Sequence, residues 1–299
     1  MFYNMANSEY SEEEAYLQLI RDIHLKGEDD EGRNGRVRCK FGASMRFSMK
    51  DNKIPILTSK RLAWKTCLKE LLWFISGNTS NKTLKAMNVH IWDGNSSREF
   101  LDSRGLEHLH EDDLGPIYGF QWRHYNAEYK TCDDDYKNKG IDQLQQIINA
   151  LKDPKERKSR RLIMSAWNPE QIGEMALPPC HVLCQFNVIG ENKLSCALYQ
   201  RSGDVGLGVP FNIASYSFLL HLIAHHCDLI PSDFVYFLGN AHIYDDHMPE
   251  LLAQINKELY DFPTLSIKKK YNNIDEYTLE DFELNNYKHN SSISMKMRV

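Results

Sequence analysis

Long apolar runs are missing from this chain. No uncharged stretch reaches membrane-spanning length, so a transmembrane helix is not expected. The start turns acidic at once and lacks a basic region followed by an apolar core, which excludes a secretory signal pattern. No C-x-x-C pair and no His/Cys zinc spacing occurs, so no metal centre is expected. The seven cysteines are odd in number and widely spaced, which argues against a disulfide framework and for a reducing, cytoplasmic setting. Positive charge is not in excess: Lys plus Arg is 36, Asp plus Glu is 41, and the formal net charge is -5. Nucleic acid is therefore not expected as the main partner. Repeats and low-complexity linkers are absent too, so residues 1–299 read as one domain with a flexible 1–10.

What is present is a mixture of helical and strand patterns. Ser11 and Glu14 suggest a capping box opening a helix over 11–26, with Tyr16, Leu19, Ile20 and Ile23 on one stripe. Residues 29–35 read as a charged, glycine-punctuated loop, and 37–49 as a strand. Residues 62–75 form a strongly apolar helix that Gly77 terminates. Residues 94–129, rich in Gly, Asp, Trp and Tyr, read as loops that build a site. A helix around 144–151 stops near Asp153-Pro154. Strands are expected at 162–167, 181–188, 194–200 and 234–238, a long helix at 213–223 ending near His225-His226, and a last strand at 293–297. The elements lack a regular βαβ rhythm, which favours an α+β domain with a mixed sheet.

Chemistry concentrates in two segments, Leu177-Pro178-Pro179-Cys180-His181 and Gln200-Arg201-Ser202-Gly203-Asp204. Most cysteines are inert core residues, and Cys184 and Cys196 fit that description. Cys180 differs, because two prolines force an extended approach and remove two backbone donors before it. Arginines nearby would favour the thiolate and hold a phosphate dianion. Arg201, Arg33 and the pair Arg160-Arg161 are the candidates, although the pair alone reads as a surface turn. The glycines of the stretch 206–212 allow close backbone approach to a ligand. Glu70 sits within an apolar helical stretch; facing a pocket, it would have a raised pKa suited to proton shuttling. A Cys180-His181 hydrolase pair is disfavoured, because adjacent strand residues point to opposite faces.

From about Tyr10 to Val299 the ordered motifs resemble those of thymidylate synthases: Glu70-Leu71-Leu72-Trp73-Phe74, Ile91-Trp92-Asp93, Asp113-Leu114-Gly115-Pro116-Ile117-Tyr118-Gly119, and the stretches 176–181, 200–212 and 242–244. Residues 108–145 resemble the longer eukaryotic-type form. The resemblance implies reductive methylation of dUMP by 5,10-methylenetetrahydrofolate, giving dTMP and dihydrofolate through attack of Cys180 on uracil C6. It implies catalytic roles for Glu70, Tyr118 and Asn212. Arg33, Arg201 and Ser202 match phosphate ligands, and Gln200 stands with them among the nucleotide contacts. His242 and Tyr244 match the ribose contacts. Asp204 matches the pterin carboxylate. Ile91, Trp92, Asn95, Leu207, Gly208 and Phe211 match the folate wall, and residues 297–299 match a closing tail that ends on Val299. A sheet-to-sheet homodimer is implied, with Arg160 and Arg161 crossing to the partner's phosphate.

Departures are present. The loop after Arg33 is one residue short, Ala63 replaces a larger side chain near the folate tail, Asn240 replaces a frequent aspartate, and Arg298 occupies a position often small and neutral. An amide at Asn212 favours uracil, whereas aspartate there would favour cytosine. The alternatives are a pyrimidine hydroxymethylase of the same fold and a non-catalytic nucleotide- or RNA-binding regulator. The first helical pattern begins close to Met1, so a monofunctional chain without a fused reductase is expected.

Overall fold

A computed structural model describes residues 11–32 and 34–298; the expected flexible stretch 1–10, Arg33 and Val299 lie outside the described residues. The first stripe forms α1, Glu14–Lys26, burying Tyr16, Leu17, Leu19, Ile20 and Ile23. The expected capping box does not form. Glu14 pairs with Arg21 instead, and Ser11 Oγ accepts from the Glu13 amide at 3.3 Å. The carboxylate that turns inward is that of Glu13. It accepts from Thr58 N at 2.8 Å, Thr58 Oγ1 at 2.6 Å and Ser59 N at 2.8 Å. Thr58 is also held from the other end of the chain, its carbonyl accepting from Asn290 N at 2.8 Å.

The acidic stretch expected as a loop is β1, Glu28–Gly32, paired antiparallel with β2, Gly35–Ser48. Cross-strand charge stabilises this exposed ribbon, with Asp29 facing Arg38 at 3.1 Å and Arg36 at 3.3 Å. Then come α2, Trp64–Ile75, with Gly77 at φ 72 just beyond it, and α3, Asn81–Ala86. Residues 94–129 are not all loop. They carry α4, Arg98–Ser103, and α5, Tyr118–His124. Residues 118–122 of α5 are buried without exception, so it shows no two-sided stripe. Next are α6, Gln143–Lys152, β3, Ile163–Ser165, β4, His181–Ile189, and β5, Lys193–Asp204. After these follow α7, Gly208–His226, β6, Ile230–Tyr244, α8, Met248–Gln254, β7, Thr264–Ile267, and β8, Phe282–Asn285.

The main sheet runs β1-β2-β6-β5-β4-β3. All pairs are antiparallel except β5 and β6, which run parallel and are joined by α7. Helix α7 is buried on nearly every side and packs on α2, β5 and β6. The parallel pair brings two polar strand ends together, with Ser202 opposite Asn240, Gly203 opposite Ala241, and Asp204 opposite His242. Residues 201–204 are therefore strand and not loop: long-range pairing extends β5 beyond its apolar core segment. The same pairing extends β6 well beyond the expected 234–238. Residues 293–297 form no strand. Their apolar alternation docks on the core through Met295, and side chains rather than a ladder hold the backbone.

The outer face of the sheet is apolar and uncovered in the single chain. Phe41 is 81% exposed, and Tyr199 and Phe237, paired across β5 and β6, are 41% and 45% exposed.

Candidate active site

Cys180 lies just ahead of β4, where Val182 makes a bulge between the His181 and Leu183 pairings. A bulge of this kind re-aims the residues next to it. The main chain of Cys180 is held on both sides: its amide donates to Tyr118 Oη at 2.8 Å, and its carbonyl accepts from Arg201 N at 2.9 Å. The Arg201 guanidinium then grips the preceding turn, donating from Nε to Pro179 O at 3.0 Å and from an Nη to Pro178 O at 2.9 Å. It also lies 5.8 Å over the Trp167 ring.

Behind the cysteine the site is aromatic and buried. The Tyr118 ring meets Phe74 at 4.9 Å, His181 at 5.0 Å and the edge of Trp92 at 6.0 Å. Trp92 Nε1 donates to Glu70 Oε1 at 2.7 Å. Burial pushes the Glu70 carboxyl up to about 7, and the Trp92 bond only partly opposes the rise. Burial also drives the Tyr118 phenol well above its ordinary value, aided by Cys180, so it stays protonated at neutral pH. A carboxyl poised near neutrality, a buried hydroxyl and a half-exposed sulfur are thus linked through Trp92 over three elements.

The nucleotide-side candidates gather at the ends of β5 and β6. Gln200 is buried, accepting from Tyr236 Oη at 2.6 Å and donating to Ser202 O at 2.8 Å. His242 Nδ1 donates to Asn240 Oδ1 at 3.0 Å, which leaves Nε2 as an acceptor. Asn240, a departure from the family pattern, thereby sets that tautomer. Asp204 Oδ1 accepts from Gly206 N at 2.8 Å and Leu207 N at 3.4 Å, shaping the turn into α7. Leu207, Gly208, Phe211 and Asn212 follow on that turn and the start of α7, and all are half-buried. Ile91 and Asn95 flank the Trp92 turn. Arg33 and Val299 lie outside the described residues.

Arg160 and Arg161 are not brought to this site. Both are exposed, and the β3–β4 register, with Ile163 opposite Gln185, sets Arg161 opposite Asn187. That is about 20 Å along β4 from Cys180 at the strand rise. Among the described residues no cluster of three or more His, Cys, Asp or Glu side chains is arranged to hold a metal ion. Nor is any described helix long and apolar enough to cross a membrane.

Comparison with known proteins matches residues 14–299 to the family model "Thymidylate synthase". The chain belongs to the thymidylate synthase family. It is 49% identical over 285 residues to human thymidylate synthase, covering 95% of this chain and 90% of that protein. It is also 49% identical over 297 residues to the bifunctional dihydrofolate reductase-thymidylate synthase of Plasmodium chabaudi, covering 99% of this chain and 50% of that protein. The Zea mays protein of that bifunctional name is 51% identical over 290 residues, covering 96% and 55%. The chain spans about half the length of these bifunctional relatives.

Sequence reasoning passed over His181. It is buried, burial pushes its pKa down to about 4 with Asn212 opposing the fall, and Tyr118 and Tyr216 flank it. Its place beside Cys180 was the available signal. The strand alternation that disfavours a Cys-His hydrolase pair turns the imidazole to the inner face, as a neutral buried group. Lys60 was missed as well. It is buried, donates to Gly206 O at 2.6 Å, and has its pKa lowered to about 8 by burial, with Asp204 opposing.

Proposed function

We propose that the protein converts dUMP to dTMP, taking a methylene group and a hydride from 5,10-methylenetetrahydrofolate and releasing dihydrofolate. The reading is carried by the contact path Glu70–Trp92–Tyr118–Cys180–Arg201 in a chain of this family. The Cys180 thiolate forms a bond to uracil C6, the 5,6 double bond opens, and charge moves to C5 and O4. Asn212 pairs with O4 and N3–H, and Glu70 supplies a proton toward O4 through water. Tyr118, whose phenol keeps its own proton, serves the later removal of the C5 proton through water that accepts it. Arg201, Ser202 and Arg33 hold the phosphate end, with Gln200 among the nucleotide contacts, while His242 and Tyr244 hold the ribose. In this reading the half-buried Ile91, Leu207, Gly208 and Phe211, with Trp92 and Asn95, form the folate wall, and Asp204 serves the pterin.

The test is turnover. Purified protein with dUMP and methylenetetrahydrofolate is expected to show a rise in dihydrofolate absorbance and a product heavier than dUMP by one methyl substitution. A hydroxymethyl product, or nucleotide binding with no turnover, would replace this reading by one of its two alternatives.

The functional unit is proposed to be a homodimer that buries the exposed face around Phe41, Tyr199 and Phe237. Arg160 and Arg161, too far from their own Cys180, would then serve the partner's phosphate. Mixing Arg161→Ala with Cys180→Ala protein should restore activity. With random exchange half the dimers are mixed and each holds one intact site, so about a quarter of wild-type turnover is expected. Proven exchange without recovery excludes shared sites. A cytoplasmic setting belongs to the same proposal, supported by seven cysteines that form no disulfide among the described residues.

A further inference from the structure

Two stretches that build the site have little regular structure to hold them. Residues 91–96 form turns and nothing longer, yet they carry Ile91, Trp92 and Asn95. Residues 112–117, with one isolated bridge from Asp113 to Ser80, lead into Tyr118. Both stretches meet at the first turn of α3, on the fully buried side chain of Asn81.

Asn81 Nδ2 lies 2.9 Å from Asp93 Oδ1, 2.9 Å from Ser96 Oγ and 3.1 Å from Asp112 Oδ1. These neighbours fix the orientation of the amide, because the reverse would aim Oδ1 at two carboxylates. Oδ1 is left buried without a partner among the described residues. An orphaned acceptor costs stability, so what Asn81 contributes is its donors, two hydrogens set between converging carboxylates. Ser96 Oγ also donates to Asp112 Oδ1 at 3.1 Å, and Lys85, one turn further along α3, donates to the same oxygen at 2.6 Å. Main-chain bonds complete the junction: Asn81 N to Asp112 O at 2.8 Å, Asp112 N to Ser96 O at 2.9 Å, and Ser96 N to Trp92 O at 3.0 Å.

The two stretches differ in what else holds them. Residues 112–117 have further anchors. Leu114 N donates to Thr79 O at 3.2 Å, Ala176 N donates to Leu114 O at 3.0 Å, and Asp113 accepts from the Cys132 amide at 2.9 Å. Outside the junction, among the described residues, the Trp92 turn bonds to another helix or strand only through Trp92 Nε1 on Glu70.

We propose that Asn81 is a positioning residue for the reaction, supported by Lys85. It fixes the turn that carries Trp92 and Asn95 against the segment that leads to Tyr118, and so sets the indole that bonds Glu70. The consequence for turnover rests on the folate-wall reading of Trp92 and Asn95 given above, whereas the junction itself does not.

Hydrogen exchange followed by mass spectrometry, on the full-length protein free of ligand, tests the junction. Steady-state kinetics on the same samples tests its use. Asn81→Ala removes both donors without adding bulk and leaves the carboxylates opposed. Amides in 92–96 should then exchange at least about tenfold faster than in wild type, while those in 113–118 stay within about threefold. The methylenetetrahydrofolate KM should rise about tenfold, with kcat within about threefold and the dUMP KM within about twofold. Asn81→Ser, which keeps one donor, should fall between wild type and Asn81→Ala. If Asn81→Ala does not fold, Lys85→Met tests the same junction from a side chain that is 38% exposed, with the same pattern at about threefold. Wild-type exchange in 92–96 overturns the proposal, and so does equal loosening of both stretches, which would mark general destabilisation. Faster exchange with an unchanged folate KM in an active enzyme overturns the positioning role. A wild-type protein without turnover would instead overturn the function proposed above, and the exchange rates would still decide the junction.

Discussion

Cys180→Ser is expected to lower dTMP formation by at least about 10³-fold while dUMP affinity stays within about threefold. The size of the effect follows from what holds the residue. Its amide is anchored to Tyr118 and its carbonyl to Arg201, so the backbone is fixed by groups the substitution leaves alone. Serine therefore sits where cysteine sat, and the change falls on the nucleophile. A hydroxyl is far less ionised than a thiol, and it finds no ready base here: burial holds the Tyr118 phenol in its protonated form, and Glu70 contacts Trp92 rather than the sulfur. Single-turnover product formation and an equilibrium dUMP titration on the same sample check both halves. Turnover within tenfold of wild type would remove the covalent step.

Glu70→Gln should give the second largest effect, with opposite signs for activity and stability. Turnover is expected to fall by about 10²–10³-fold, the scale for losing a positioned proton donor and its field. Stability should rise in alkaline solution. The folded-state pKa of about 7 lies above the ordinary 4.5, so the folded protein holds this proton more tightly than the unfolded chain does. The stabilising contribution is complete below about 4.5 and is lost as pH rises through about 7. A 2.5-unit gap corresponds to roughly 3 kcal/mol when fully expressed. Glutamine keeps an oxygen for Trp92 Nε1 and never ionises. The stability advantage of Glu70→Gln over wild type should therefore shrink by about 2 kcal/mol between pH 8 and pH 5.5 in urea titrations. An advantage that does not change with pH would mean the carboxyl is not desolvated.

Local pattern made the scaffold legible where one face of an element meets the core and the other meets water. Helix α1, α6 and the strand cores of β2, β4 and β5 announce themselves in this way, and Gly77 marks the end of α2 by its positive φ. It was silent where structure depends on distant partners. The polar end of β5 is strand only because β6 runs parallel beside it. The short helix α5 is buried on every side across Tyr118–Trp122 and offers no periodicity. The capping box fails because Glu14 pairs with Arg21, while its neighbour Glu13 is drawn to Thr58, 45 positions away. At the site, the candidates Cys180, Glu70, Tyr118 and Arg201 stood out by their motifs, and the fold brings them into one contact path. His181 and Lys60 did not, because each is placed there by contacts made in space.

Thr58 is gripped by Glu13 from one side and by Asn290 from the other. During synthesis those grips arrive at different times. At usual translation speeds the ribosome needs on the order of 10–50 s to travel from residue 58 to residue 290. Over that interval the nascent chain gains the carboxyl, the sulfur and then the sheet, but the strap that joins its first helix to its last segment has yet to be made. Competence is therefore a late event in the life of each polypeptide, set by elongation more than by the speed of the sheet.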